Sequence, residues 1–185
     1  DILDGFVQEG KIRAVGLSNE SAWGTMSYLK YAELSNKARV ATVQNVYNLV
    51  SRTYEQGLSE VSMREDVGLL AYSPLAQGYL TGKYQNGAQP PNTRKTLFGR
   101  LQRYQTGKAD EAIQTYLNIA EKHGLNSSQM AIKFCDTRPF VAATIIGATT
   151  MTQLQQNTDS AKLKLSTEVL DAIEALHQQH TYPCP

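Results

Sequence analysis

The stretch Val67-Gly68-Leu69-Leu70-Ala71-Tyr72, followed at once by Ser73-Pro74-Leu75, decides the fold. An almost wholly apolar run ends at a proline, which cannot extend a sheet ladder. Such a run, bounded by turn residues, reads as a strand covered on both faces, as in a parallel sheet. Three further stretches have the same character: Ile12-Arg13-Ala14-Val15-Gly16-Leu17, Ala41-Thr42-Val43-Gln44-Asn45-Val46 and Ala143-Thr144-Ile145-Ile146-Gly147. Strand starts at 12, 41, 67 and 143 lie 29, 26 and 76 residues apart. The first two steps are each one right-handed βα unit long. The third is a βα unit with a large insertion from Gln85, containing Pro90-Pro91, Arg94, Arg100 and Arg103. It reads as a mobile loop on the face where the strands end.

Helical patterns fill the gaps. Residues 21–36, after an Asn19/Ser21 start signal, point Met26, Leu29, Ala32 and Leu34 toward a core. Residues 53–65 place Leu58 and Val61 on one side. Residues 108–123 carry the i, i+3, i+4 stripe Ala112, Ile113, Tyr116, Ile119 and Ala120. Asn126 with Gln129 opens a helix over 127–136, and Thr150 with Gln153 repeats that capping signature before 151–159. Ser166 starts a last helix with Val169, Ile173 and Leu176 inward. This alternation allows a doubly wound sheet or a (β/α)₈ barrel. A whole barrel typically takes ~250 residues and eight strands; four strands make half a barrel or a small open sheet.

The 185 residues are about one domain by the usual ~150-residue prior. Apolar residues at 41% and charged residues at 19% describe a globular chain, not a disordered one. Eighteen Lys and Arg against seventeen Asp and Glu argue against nucleic acid or an anionic membrane as the main partner. Two cysteines, Cys135 and Cys184, make neither a disulfide framework nor a structural zinc site. No apolar run approaches the ~18 residues of a membrane span, and the expected location is cytoplasmic. The opening DILDGFVQEGKI reads as the end of a helix, as in a segment of a longer protein.

Function in such folds collects at the C-terminal ends of the strands. There stand Ser18 and Asn19, then Gln44 and Asn45, then Tyr72-Ser73-Pro74-Leu75 with Gly78 and Lys83, then Gly147-Ala148-Thr149-Thr150 with Gln153, Gln156 and Asn157. The set is rich in amides and hydroxyls, suited to a large polar ligand. Amide side chains match a carboxamide in both directions. Tyr72 offers a face for a flat ring. The Gly147–Thr150 turn opening a helix presents free N–H groups to a phosphate. Lys83 and Arg94 add charge-assisted bonds to a second phosphate. Each also has a plainer reading: Thr150 and Gln153 as a cap, Ser18 and Asn19 as a cap, Tyr72 as packing. Lys83, Arg94 and Arg100 could form a solvated face, and Gly147 a tight turn. His123 reads as a helix-end residue, Cys135 as packing, and Glu60, Glu65 and Asp66 as surface charges. His177 and His180 share no triad or metal spacing.

Taken together, Gly10-Lys11-Ile12-Arg13-Ala14-Val15-Gly16-Leu17-Ser18-Asn19, Val43-Gln44-Asn45, Ala71-Tyr72-Ser73-Pro74-Leu75-Ala76-Gln77-Gly78-Tyr79-Leu80-Thr81-Gly82-Lys83-Tyr84 and Ile145-Ile146-Gly147-Ala148-Thr149-Thr150 resemble the aldo-keto reductase superfamily in order and spacing. The tail, including Tyr182-Pro183, resembles the bacterial Tas-like branch, related to potassium-channel β-subunits. The resemblance implies a (β/α)₈ barrel binding NADP(H) in an extended pose, with residues 1–185 corresponding to strands five to eight. Ser18, Asn19 and Gln44 would hold the nicotinamide carboxamide, and Tyr72 would stack on the ring. Ser73, Pro74, Leu75 and Gly78 would line the pyrophosphate region, with Lys83 and Arg94 reaching phosphates. Gly147, Thr149 and Gln153 would hold the 2′-phosphate end, with Gln156 and Asn157 at the adenine. Arg94 aligns after a one-residue loop shift, and Gln156 stands where related sequences often carry an acidic residue. The family's catalytic Asp, Tyr, Lys and His lie on the first four strands. Tyr72 and Lys83 are not that Tyr and Lys, so no catalytic residue and no metal ligand is assigned here.

The resemblance implies reduction of a small-molecule aldehyde or ketone, with the missing N-terminal half of the barrel as partner. A nucleotide-sensing protein of the same fold with little turnover is the alternative, and an unrelated half-barrel phosphate binder a third. Half a barrel leaves two sheet edges and an apolar interior unpaired, so the isolated chain is expected to dimerise, aggregate or stay loosely packed.

Overall fold

The computed structural model describes residues 1–99 and 102–184; Arg100, named above in the insertion, lies outside the described residues. The elements run α1 (Ile2–Gln8), β1 (Val15–Ser18), α2 (Ala22–Leu34), β2 (Val40–Val46), α3 (Leu58–Glu65), β3 (Gly68–Tyr72), α4 (Arg94–Phe98), α5 (Gly107–Lys122), α6 (Ser127–Asp136), β4 (Val141–Thr144), α7 (Met151–Asp159) and α8 (Thr167–Gln179). All four strands are parallel, in the order β1-β2-β3-β4. A doubly wound sheet would reverse its strand order at a switch point. Each strand here lies beside its predecessor instead, the way consecutive units follow one another in a barrel wall.

The two faces of the sheet differ. Leu17, Val43, Leu69 and Val141 form one register row, with Asn45 and Ala71 in the next row of the same face. Val43, Leu69 and Ala71 are fully buried in the main core, together with residues of the helical layer such as Leu29, Ile113, Phe134 and Ile173. The alternate residues Ser18, Gln44, Leu70 and Ala143 form the opposite row, with Val46 beside Tyr72 at its end. These are half-buried or exposed. Burial on both faces, expected from the apolar runs, is therefore met on one face only. Neighbouring strands approach closely where this sheet carries glycine. A Cβ on Gly16 would stand 2.6 Å from Thr42 Oγ1, and one on Gly68 2.5 Å from Ala142 Cβ. Both glycines lie at or next to register shifts, the positions where sheets bend.

Four expected boundaries move. β1 starts at Val15, not Ile12, because the Lys11 and Ile12 N–H groups donate back to Phe6 O at the end of α1. β4 spans 141–144, not 143–147. β3 ends at Tyr72, whose carbonyl accepts from Tyr47 N, so only Ile145 N still finds a β3 carbonyl, that of Ala71. The helix expected over 53–65 is a single 3₁₀ turn (Thr53–Glu55) and then α3, divided at Gly57 with φ +85°. In α2 the phase differs. Thr25, Leu29 and Ala32 face inward, whereas Met26 and Leu34 are 40% and 76% exposed. The small residues Gly24 and Thr25 let the helix approach the rest of the fold.

The insertion also departs from a plain loop. It holds α4 and short 3₁₀ turns and buries Tyr104, and the turn that precedes it buries Tyr79, Leu80 and Tyr84. The caps match the sequence: Asn126 and Ser166 side chains accept the N–H groups of Gln129 and Val169. Cys135 is buried, as expected for packing, and its burial pushes the thiol pKa up. Cys184 is also buried, with its pKa pushed up to about 12 by the same cause.

Candidate functional site

Parallel pairing puts all four strand ends on one edge of the sheet. Ser18 lies in register with Gln44, and Val46 with Tyr72. The Tyr72 hydroxyl reaches past β2 and donates to Asn19 Oδ1 at 2.8 Å. Asn19 N donates to Gln44 O at 3.0 Å, and Asn19 Nδ2 to Ser18 Oγ at 3.4 Å. Ser18, Asn19, Gln44 and Tyr72 thus form one uncharged polar cluster. Asn45, the next residue on β2, faces the other way. It clips the loop after β1 by accepting from Glu20 N (3.1 Å) and donating to Glu20 O (2.9 Å). A cavity of about 340 Å³ flanks the cluster between Asn19, Ser21, Thr53 and Gln56; Tyr72 is not among its walls.

Two residues that leave these strands, Asn19 (φ +53°) and Ser73 (φ +56°), adopt the left-handed region. Asn tolerates it; Ser does so less readily. Buried Asn48 holds the second turn: its Nδ2 donates to Ser73 O at 2.9 Å and lies 3.2 Å from the Tyr104 hydroxyl. Such enforced conformations cluster at ligand sites.

Beyond Ser73, Pro74 is buried and Leu75 half-buried, and Leu75 O accepts from Gly78 N at 2.8 Å. Gly78 has φ +101°, and a Cβ there would stand 2.7 Å from Lys83 Cε. Lys83 therefore lies against the Gly78 backbone, with Nζ 5.1 Å from the Tyr84 ring centre. Lys95 lies 5.4 Å from the same ring. Arg94 is the exposed first residue of α4, so its neighbour Lys95 makes the ring contact.

The third group leaves the sheet next to the second, because Ile145 N is pinned to Ala71 O at 2.8 Å. Thr150 caps α7 through Gln153 N at 3.2 Å. The side chain of Gln153 reaches one residue further back than a capping box requires. Its Oε1 accepts from both Thr149 N (2.9 Å) and Thr149 Oγ1 (3.0 Å). Asn157 is buried and donates from Nδ2 to Gly147 O at 3.3 Å. Gln156 is half-buried, and its carbonyl accepts from Gln129 Nε2 at 3.0 Å, tying α7 to α6.

Three residues escaped the sequence-based list. Asn48 is a polar residue inside the buried run Tyr47-Asn48-Leu49-Val50, which is a readable signal. Arg103 and Tyr104 had none beyond residue type. Burial opposes the Arg103 charge, yet the neighbouring Tyr72 and Tyr104 hydroxyls hold its pKa above the ordinary value. Burial raises the pKa of Tyr104. His123 ends α5, and burial lowers the pKa of His177 on α8. Among the described residues no three His, Cys, Asp or Glu side chains gather as a metal set. No described helix is long and apolar enough to cross a membrane.

Known proteins resemble this chain in sequence. Protein tas of Escherichia coli (strain K12) is 50% identical over 185 residues, all of this chain and 54% of that protein. L-glyceraldehyde 3-phosphate reductase of the same organism is 34% identical over 177 residues, 91% of this chain and 50% of that protein. A probable voltage-gated potassium channel subunit beta of Arabidopsis thaliana is 33% identical over 141 residues, 73% of this chain and 43% of that protein. The chain spans about half the length of these relatives. A sequence model described as the aldo/keto reductase family matches residues 1–178. With its parallel sheet and its polar strand ends, this chain belongs to the aldo/keto reductase family.

Proposed function

We propose that residues 1–185 are the cofactor-binding half, strands five to eight, of a (β/α)₈ barrel that reduces aldehydes or ketones to alcohols with NADP(H). The observation that carries this reading is the Tyr72–Asn19 bond across the strand ends beside the Ser18–Gln44 pair. It gathers ring platform and amide groups on the open face of the sheet. The residues suit the cofactor on three counts. Gly78 lets the Lys83 side chain lie against the backbone, where a Cβ would clash with it. The amide and hydroxyl set matches a carboxamide. Thr149 offers a backbone and a hydroxyl donor at the start of α7.

In this reading Ser18, Asn19 and Gln44 hold the carboxamide, and the Tyr72 ring fixes the plane of the nicotinamide. Ser73, Pro74, Leu75 and Gly78 line the pyrophosphate. Lys83 and Arg94 neutralise phosphate, Gly147, Thr149 and Gln153 hold the 2′-phosphate, and Gln156 with Asn157 borders the adenine. Bound NADPH supplies the hydride; the protein supplies position. Tyr72 donates its hydroxyl to Asn19 and Lys83 lies on Tyr84, so neither is placed to protonate the carbonyl oxygen. That proton comes from the N-terminal half of the barrel, the partner of this chain. The location that goes with this reading is cytoplasmic.

Fluorescence titration of the full-length protein with NADPH and NADH tests the reading. NADPH is expected to bind at least about tenfold more tightly, since one charge-assisted site at the 2′-phosphate supplies ~1.4 kcal/mol or more. Binding of neither nucleotide overturns it. A nucleotide-sensing role with little turnover is the second reading, favoured by the match to a channel subunit; NADPH binding without aldehyde reduction would select it.

A further inference from the structure

The segment that follows β3 and the start of α5 enclose a cleft of about 590 Å³. None of the residues assigned above to the nucleotide lines it. The segment rests on the helix: a Cβ on Gly82 would stand 3.4 Å from Leu117 Cδ1. Two of the cleft's lining residues, Tyr79 and Tyr84, are almost wholly buried, with ring centres 4.8 Å apart. Neither of their hydroxyl oxygens has a hydrogen-bond partner, although a buried phenol usually finds one. Lys95 lines the same cleft and holds its Nζ 5.7 Å from the Tyr79 ring centre and 5.4 Å from that of Tyr84. Among the described residues the lysines paired with a carboxylate are Lys11, Lys37 and Lys162; Lys95 is not one of them. Asp110 also lines the cleft, in the first turn of α5, where the helix N-terminus already favours a negative charge. Gln85 and Gln114 add amides.

We propose that this cleft is a second binding site, separate from the strand ends, for a phosphate ester of a small polyol. Lys95 supplies an ammonium without a carboxylate, and the two unpartnered phenols supply hydroxyl donors; all three suit the oxygens of a phosphate. The volume exceeds what a phosphate alone fills and lies within the range of small-ligand clefts, roughly 300–1,000 Å³. Asp110 and the two amides offer acceptors and donors for hydroxyl groups on the rest of the ligand. The charge of Lys95 selects the ester over the free polyol. The site goes beyond the reductase reading and does not depend on it.

Calorimetric titration of the full-length protein with glucose 6-phosphate, inorganic phosphate and glucose tests the proposal, each with and without saturating NADPH. Glucose 6-phosphate is expected to bind in both states, inorganic phosphate more weakly, and glucose not measurably. Lys95→Gln is expected to weaken glucose 6-phosphate binding about tenfold or more, the usual effect of one charged hydrogen-bonding partner, and Lys95→Arg to restore part of the loss. Tyr84→Phe keeps the ring and removes only the hydroxyl, and is expected to cost about fivefold. Failure of both phosphate compounds to bind, binding of glucose as tight as that of its phosphate, or unchanged binding in Lys95→Gln each overturn the proposal. Displacement of glucose 6-phosphate by NADPH also overturns it and assigns the bound phosphate to the cofactor's own subsites. If NADPH itself fails to bind, the reductase reading falls, and the titrations without nucleotide alone decide this site.

Discussion

Consecutive residues of β3 face different worlds. Leu69 and Ala71 are sealed among the helices, while Leu70 and Tyr72 look out over the open side of the sheet. The contrast extends to polar groups. On the covered side, Arg52 is bonded through Nε and Nη2 to the two oxygens of Glu55, each at 2.8 Å, and through Nη2 to Glu174, also at 2.8 Å. Arg138 shares Glu174, and both guanidinium groups lie over the Phe134 ring. On the open side the polar groups at the strand ends are uncharged and leave donors and acceptors facing outward. Charge satisfied within the chain ties helices together; at the strand ends Tyr72, Asn19 and Ser18 bond one another without charge.

The largest expected effect lies on the covered side. Arg52→Ala removes the buried guanidinium that binds Glu55 and shares Glu174 with Arg138, and breaking such a pair costs about 3 kcal/mol, read as a lowered urea midpoint of the full-length protein. Acid probes the same cluster. Burial alone would raise the Glu174 pKa, but hydrogen bonds and charge from Arg52 and Arg138 hold it below the ordinary 4.5. A carboxyl depressed in the folded state stabilises the protein above the unfolded value and loses that contribution as pH falls through the folded one. The midpoint should therefore fall below pH 4.5, and less steeply in Glu174→Gln.

A pair of truncations on β3 comes next. Leu69→Ala should cost about 3 kcal/mol in any context, the usual price of emptying a leucine site in a packed core. Leu70→Ala depends on what covers the open face. In the isolated chain it should cost under about 1 kcal/mol, because little packing is lost. In the full-length protein it should approach the Leu69 value if that face is a barrel interior. Equal, small Leu70 effects in both would remove the half-barrel placement.

The difference between the two sides also explains what the sequence disclosed. Elements whose burial is periodic and whose ends are capped by their own residues were legible: β2, β3, α5 and α6 start and stop within a residue or two of expectation, and α8 starts where expected. The polar strand ends were legible too, because their position follows from the parallel topology alone. Phase and long-range contacts were not. Met26 and Leu34 read as core for α2, but Thr25 takes the inward place, because a small residue at that spot lets the helix approach. The stretch from β3 through the insertion hides its order in tyrosines 79, 84 and 104, which follow no period, and in left-handed turns at Ala76 and Gln77, residue types that do not announce them. The role of Asn48 follows from partners 25 and 56 residues away.

The smallest effect concerns the turn before α7. Gln153 Oε1 occupies both donors of Thr149 in this structure. A phosphate seated there must displace that oxygen, so the turn exchanges one acceptor for another and never leaves its N–H groups bare. NADPH and NADH differ only at the 2′-phosphate, which makes their affinity ratio a local readout. Gln153→Glu keeps the shape and the acceptor but places a negative charge beside the incoming phosphate. At an exposed site the repulsion is ~1 kcal/mol per charge pair at close range, about fivefold in affinity. NADPH binding should weaken by that factor while NADH binding holds, and raised salt should narrow the gap. A variant that weakens both nucleotides alike would place the 2′-phosphate elsewhere, and would leave Gln153 as a helix cap for α7.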